Sequence, residues 1–334
     1  MPPGAPNCSL AGSTRGALLS SPATEPLARG VVGKYRTEPS GYPLRRDDFV
    51  PEMPGALAPQ GLRTVTRWCN HLARLGPMAG RFEGKRGLVL GVANKRSIAW
   101  AIARRLADEG ATMAFTYQGE RIEANVRDLA ESVSSPLVTS CDVREDADCT
   151  RAVGEAVAAL GGLDFVVHSV AFAAAEDLEG RFIDTPSDRF WMALDVSAYS
   201  LVAIARATEP HLAETNGSIV TMTYLGGERT VPHYNVMGVA KATLEASMRY
   251  LAWDLGSAGI RVNAVSAGPV RTLAARSIAG FPTMEAIVNE RAPLRRPIDS
   301  GDVAAAGAFL LSDDARNITG TILYVDSGYH TVGM

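Results

Sequence analysis

From Gly84 onward, short apolar runs alternate with longer stretches in which apolar positions recur every three or four residues. The runs Gly87–Val92, Thr112–Tyr117, Pro136–Cys141, Leu163–Ser169, Gly217–Thr223, Ile260–Val265 and Thr321–Val325 are nearly continuous in apolar side chains, the pattern of strands covered on both faces. Between them, segments such as Ser97–Glu109, Glu120–Val133, Asp146–Leu160 and Lys241–Leu255 carry a helical period. Strands that alternate with helices predict βαβ units and a parallel sheet. The expectation is one doubly wound α/β domain with seven parallel strands over residues 78–334, without an internal linker. Right-handed crossovers bring the loops at the carboxyl ends of the strands to one crevice, where a ligand is expected.

Residues 1–77 follow neither period. They hold 11 of the 19 prolines, and nine Lys+Arg against five Asp+Glu, although the whole chain has a formal charge of −3. Such a segment buries too little apolar surface to offset the entropy of ordering, so most of it is expected to be disordered. Leu62 to Leu75 alone has near-helical apolar spacing and predicts one isolated amphipathic helix. The extension reads either as a targeting or docking segment or as upstream sequence before Met78. It lacks the basic start and apolar core of a secretory signal.

The near-neutral balance of 33 Lys+Arg and 36 Asp+Glu offers no footprint for nucleic acid. The apolar stretch Val157 to Ala175 is interrupted by Gly161, Gly162, Asp164 and His168, so no membrane span is expected. Four cysteines (Cys8, Cys69, Cys141, Cys149) form neither a paired metal motif nor a disulfide framework, which fits a reducing, cytoplasmic setting and no metal.

Several residues fall where chemistry is expected. The first strand leads into Gly91-Val-Ala-Asn-Lys-Arg-Ser97-Ile98 and a helix, a place suited to a pyrophosphate, although Ser97 reads equally as an ordinary helix cap. Gln118, beside Glu120, sits where an adenosine ribose would lie and favours a 2′-hydroxyl, hence NADH; a surface turn is the alternative. Asp142 and Val143 follow the third strand, where the carboxylate either meets an adenine or caps the next helix. His168, inside an apolar strand, reads as a core histidine. Tyr234 and Lys241 are seven residues apart, two helical turns, so both project from one face if the segment after Pro232 is helical. A nearby lysine is expected to lower the phenol's pKa and suit it to an oxyanion, with a solvated amphipathic face as the bland alternative. Ser266 to Ala274 breaks regular structure at the crevice and, with the segment to Arg291, predicts a lid.

Taken together, these motifs resemble the short-chain dehydrogenase/reductase superfamily and, within it, the bacterial enoyl-acyl-carrier-protein reductases. The resemblance spans residues 78–334. It rests on Gly91-x-Ala93-x3-Ser97-Ile98-Ala99, the pair Tyr224 and Tyr234, Tyr234-Asn-Val-Met-Gly, and Ser266-Ala-Gly-Pro-Val-Arg-Thr-Leu-Ala. The superfamily's usual Tyr-x3-Lys is absent: Gly238 stands at the fourth position and Lys241 arrives at Tyr-x6-Lys. The resemblance implies a Rossmann-type domain that uses NADH to reduce an enoyl chain carried by acyl carrier protein, assembled as a homotetramer. It implies Gly91, Ser97 and Ile98 on the pyrophosphate side, Gln118 at the ribose, and Asp142 and Val143 at the adenine. Val170, Val270, Arg271, Thr272, Leu273 and Ala274 would take the nicotinamide half, with Lys241 on its ribose. Tyr234 would stabilise an enolate, Tyr224 would stand near the substrate, and Ala173 would touch the acyl chain. Ala171 stands where some members of the family have glycine, and Ser327 replaces a glycine common near the C-terminus. A ketoacyl reductase and a non-catalytic dinucleotide-binding module remain as alternative readings.

Overall fold

A computed structural model describes residues 80–272, 275 and 280–333. The expected extension 1–77 and its helix at Leu62–Leu75 lie outside the described residues, as do Leu273 and Ala274. All seven strands form: β1 (Arg86–Leu90), β2 (Thr112–Tyr117), β3 (Val138–Ser140), β4 (Phe165–His168), β5 (Ser218–Thr223), β6 (Arg261–Ala267) and β7 (Ile322–Val325). They make one sheet in the order β3-β2-β1-β4-β5-β6-β7, every neighbouring pair parallel. The order reverses between β1 and β4, so the crevice expected of a doubly wound sheet opens at their carboxyl ends.

Side chains alternate between two cores. Leu88, Leu90, Val166, Ile219 and Val262 face helices α3 (Asp146–Leu160), α6 (Ser200–Ala213) and α7 (Asn235–Gly256). Val89, Phe165, Val167, Val220 and Val265 face α1 (Ile98–Asp108), α2 (Glu120–Glu131) and α9 (Ser300–Leu311). The shorter α4 (Ala175–Leu178) and α5 (Ser187–Leu194) follow β4, and α8 (Phe281–Arg291) follows β6. The near-continuous apolar strands are thus buried on both faces, each Leu or Ile stabilising the fold by roughly 1.5–3 kcal/mol.

Two helices without a polar stripe carry no 3.6 period to read. Helix α9 buries Val303, Ala304, Gly307, Ala308, Leu310 and Leu311. Its Gly307 lets it lie on α1, since a Cβ there would come within 3.2 Å of Ile102. A capping box starts it: Asp299 accepts from the backbone of Gly301 (2.7 Å) and Asp302 (3.0 Å), while Asp302 accepts from the Asp299 N–H at 2.9 Å. Ser187–Ala213 is long and apolar enough to cross a membrane by length and composition, with a mean hydropathy of 1.2. Half of it is buried inside the domain, where Leu201, Ile204 and Leu212 are fully enclosed. Helix α7 begins six residues before the expected Lys241, which carries the whole Tyr234–Lys241 spacing onto helical geometry.

Candidate active site

The carboxyl ends of β4, β5 and β6 enclose a cavity of about 340 Å³, with α4, α7 and α8 around it. Its walls include Ile98, Ala173, Tyr224, Tyr234, Lys241, Val270 and Thr272. Of the expected site residues, these seven meet in one space. Gly91, Ser97, Gln118, Asp142, Val143 and Val170 instead follow the ends of β1, β2, β3 and β4, forming a track along the sheet edge that leads away from the cavity.

Gly91 starts this track. Its φ is +97°, and a Cβ would lie 2.0 Å from the Ser169 carbonyl oxygen, so only glycine lets the β1 and β4 loops approach this closely. Ser97 occupies the N-cap position of α1 but does not cap it. Its Oγ turns back to accept from the N–H groups of Ala93 (3.0 Å) and Asn94 (3.1 Å), which fixes the loop and leaves the first-turn amides of α1 without a side-chain cap. An uncapped helix N-terminus facing a crevice suits an anion.

Gln118 is exposed at the end of β2, and the first turn of α2 carries Glu120 and Glu123. Asp142 does not cap α3, whose N-cap is Glu145. It pairs with Arg144 at 2.5 Å, which holds its carboxyl below the usual range. Val143 is buried beside it. Arg271 is largely exposed and donates to the Glu285 carboxylate of α8 through Nε and Nη2, at 2.9 and 2.7 Å. The expected lid segment forms a wall of the cavity through Pro269, Val270, Thr272, Phe281 and Met284.

Inside the cavity, Tyr234 and Tyr224 meet edge to face, their ring centroids 4.9 Å apart and inclined by 70°. The Tyr224 hydroxyl contacts the Met284 sulfur at 3.2 Å. Lys241 is buried, and its Nζ donates to the Met222 carbonyl at 2.7 Å. Burial lowers its pKa to about 8, against an opposing pull from Glu245 one turn along α7. Glu245 is itself buried, accepts from the Thr223 hydroxyl at 2.6 Å, and has its pKa raised by burial.

The expected depression of the Tyr234 pKa is overturned. Desolvation raises it, and Tyr224 and Glu245 push in the same direction. Spacing correctly brings lysine and phenol to one cavity, but burial penalises the phenolate and Lys241 is not among the groups that offset it. Burial also lifts Tyr224, to about 12. His168 is a core histidine: fully buried, it contacts Thr221 through Nδ1 (3.0 Å) and Ser200 through Nε2 (2.9 Å), and burial lowers its pKa to about 3.

Several site residues have no signal in the sequence. Met222, Met237, Phe281 and Met284 line the cavity as isolated apolar positions. Ser197 sits in a π turn (Asp195–Tyr199) between α5 and α6, and its Oγ accepts from the Phe172 N–H at 2.9 Å, tethering the loop after β4. Ser327 takes a left-handed φ of +58°, where glycine is common, and its hydroxyl donates to the Arg296 carbonyl at 2.9 Å.

A family model described as enoyl-(acyl carrier protein) reductase matches residues 91–330. The enoyl-acyl-carrier-protein reductase (NADH) FabI of Bacillus cereus is 51% identical over 253 residues, covering 75% of this chain and 98% of that protein. A crystal structure of the Bacillus cereus enoyl-acyl carrier protein reductase with NADP+ and indole naphthyridinone matches with a TM-score of 0.74 at 50% identity, covering 76% of this chain and all of that one. The reductase of Anaplasma phagocytophilum in complex with NAD matches with a TM-score of 0.73 at 46% identity, over 77% of this chain and 98% of that one.

Proposed function

Because this chain belongs to the enoyl-(acyl carrier protein) reductase family, we propose that it uses NADH to reduce the trans-2 double bond of enoyl chains carried by acyl carrier protein in fatty acid synthesis. The observation that carries this reading against a ketoacyl reductase is Gly238. A lysine four residues after the tyrosine has no room here, since even a Cβ at Gly238 would lie 2.7 Å from the Gly226 carbonyl oxygen. Lysine reaches the cavity from position 241 instead, alongside both tyrosines.

The residues present suit the dinucleotide. The uncapped N-terminus of α1, approached through Gly91 and held by Ser97, with Ile98 beside it, would take the pyrophosphate. Gln118 would hold the adenosine ribose. With Glu123 paired to Arg127, it is the Glu120 carboxylate opening α2 that disfavours a 2′-phosphate, which favours NADH. Asp142 and Val143 would border the adenine. Val170, Val270, Arg271, Thr272, Leu273 and Ala274 would border the nicotinamide half, and Lys241 its ribose. When bound, NADH supplies the hydride that adds to C3 of the enoyl thioester.

Tyr234 keeps its proton because burial raises its pKa, so it donates a hydrogen bond to the thioester oxygen as that oxygen gains enolate charge. Lys241, charged below about pH 8, adds positive potential in the same desolvated space. C2 then takes up a proton and the saturated thioester leaves. Tyr224 supports the Tyr234 ring, and Ala173 and Leu178 give the acyl chain an apolar wall.

We also assign residues 78–334 as the reductase domain and 1–77 as an extension outside it. Homotetramer formation is supported by exposed aromatics on the helices, Trp191, Tyr250 and Trp253, of which Trp253 is 84% exposed. A cytoplasmic setting accords with the free buried thiols of Cys141 and Cys149.

The test is NADH oxidation by the full chain, followed by absorbance, with trans-2-enoyl thioesters beside acetoacetyl thioesters, and with NADPH in place of NADH. Consumption with enoyl but not ketoacyl substrates, faster with NADH, is expected. Binding of NADH without turnover of any enoyl thioester would overturn the reading in favour of a non-catalytic module.

A further inference from the structure

Two residues that are not glycine hold left-handed backbone on either side of Tyr234: His233 at φ +63° and Asn235 at φ +37°. Tyr234 itself sits between them at φ −110°, ψ −25°, its N–H bonded to the Val231 carbonyl at 3.2 Å and its own carbonyl accepting from Met237 at 2.9 Å. Strained positions this close together persist only where surrounding contacts over-determine them, and they concentrate at working sites. Asparagine tolerates this region better than other side chains with a Cβ.

At Asn235 the contacts are specific. Its Nδ2 donates to the Asp177 carbonyl at 3.1 Å and points also to the Gly180 carbonyl at 3.5 Å, which secures helix α4 and the turn after it to the first residue of α7. A second tie secures the same segment, because the buried Asp177 carboxylate pairs with Arg189 of α5 at 3.1 Å. Between these ties, Leu178 packs against Tyr234 and Met237 with Ala173 close by, and Leu178 and Ala173 both line the cavity.

We propose that Asn235 is a positioning residue that couples the acyl-chain wall to the phenol: its amide fixes Leu178 and the loop from Ala173 to Gly180 relative to the backbone that carries Tyr234. The inference rests on the reductase reading above. It adds that the length and fit of the acyl chain are sensed through this bond, because a chain that displaces Leu178 also displaces Tyr234. The dinucleotide track along β1, β2 and β3 does not touch Asn235 and is unaffected by it.

Two full-length variants separate the backbone role of Asn235 from its amide. Asn235→Gly keeps the left-handed conformation and loses the donor. Asn235→Asp keeps the shape and sets a carboxylate against two carbonyl oxygens. The readouts are kcat and KM for dodecenoyl and crotonyl thioesters, together with NADH affinity from fluorescence of the bound dinucleotide. Both variants should lose about tenfold in kcat/KM for the dodecenoyl thioester relative to the crotonyl thioester, since small misplacements at a reacting centre are costly, while NADH affinity stays within about twofold. A residue that only supported the fold would lower both substrates equally. An unchanged dodecenoyl-to-crotonyl ratio in Asn235→Gly, with the wild type active, overturns the coupling alone. A wild type that turns over neither thioester overturns the reductase reading and this inference with it.

Discussion

Raising the pH removes the charge on Lys241, and burial brings this point down from the ordinary range of an amine. Burial lowers this amine to about 8 from its ordinary value near 10.5, so the charged form dominates below that point and is lost above it. The groups acting on it are Glu245 on α7, the Met222 carbonyl on β5, and His168 on β4, which is neutral at these pH values; Tyr234 shares its cavity. For NADH, kcat/KM reports the free enzyme, so it should break at about pH 8 and fall about tenfold for each further unit. In kcat the break should move upward, because a bound anionic dinucleotide favours the protonated amine.

Glu245→Gln sharpens the test. Opposite charges about 6 Å apart interact by about 3 kcal/mol at an effective dielectric of about 20, an upper bound of roughly two pKa units. Removing that carboxylate takes away the one pull that raises the Lys241 pKa, so the break should move down, by no more than this bound. Glutamine still accepts from Thr223, so this change removes charge without removing the hydrogen bond. Rates measured from about pH 6 to about pH 10 at constant ionic strength decide the matter. A flat profile, a break that stays put in Glu245→Gln, or a break that survives Lys241→Met would each refute the argument.

Three further substitutions follow from the same geometry. Tyr234→Phe keeps the ring against Tyr224 but removes the donor, so kcat should fall about 10²–10³-fold with NADH affinity nearly unchanged; parallel loss of both would contradict the division of roles. Gly91→Ala places a Cβ 2.0 Å from the Ser169 carbonyl in a left-handed backbone, which should cost at least about 2 kcal/mol by denaturant unfolding and weaken NADH binding; wild-type stability would rule out the close approach. For His168 the folded pKa, about 3, lies below the ordinary value of 6.5, so only the unfolded chain takes up a proton between those limits. Stability should therefore fall by about 1.4 kcal/mol per unit as the pH drops through this window, a slope that His168→Asn removes. Equal slopes in the two proteins would show that another group carries the acid sensitivity.

Strand positions were legible because strands buried on both faces announce themselves as apolar runs, and their ends shifted by only one or two residues. Helices α6 and α9 were not, because a helix apolar on most sides shows no period. The tyrosine–lysine spacing brought both residues to the cavity but gave the wrong sign for the Tyr234 pKa, since desolvation depends on everything packed around the phenol and not on one partner at a fixed offset. Asp142 and Ser97 were read as potential caps; their actual partners, Arg144 and the loop amides of Ala93 and Asn94, are two to four residues away, a choice that composition does not make. Asn235 belongs to the Tyr234-Asn-Val-Met-Gly string, but its tie to α4 was not legible, because the bond crosses to another element and the strain is a property of the backbone.

The raised Tyr234 pKa leads to one more consequence for the chemistry. A phenol that ionised readily in a closed apolar space would already be an anion beside Lys241, and the cavity would hold a satisfied ion pair with no positive potential left for an enolate. With the phenol neutral, Lys241 is the cation among the cavity's lining residues, and on the proposed reading negative charge developing on the thioester oxygen gains both its field and an O–H donor. On this argument the phenol works as a hydrogen-bond donor at the moment of hydride arrival, not as an acid that has given up its proton. Replacing Tyr234 with a fluorinated tyrosine, whose phenol ionises more easily, should then leave the rate near neutral pH within about threefold, because a more acidic donor forms the same bond. It should add a second, lower alkaline break in kcat that the wild type lacks. A rate that instead climbs steadily with phenol acidity, as full proton transfer to the substrate requires, would refute this account.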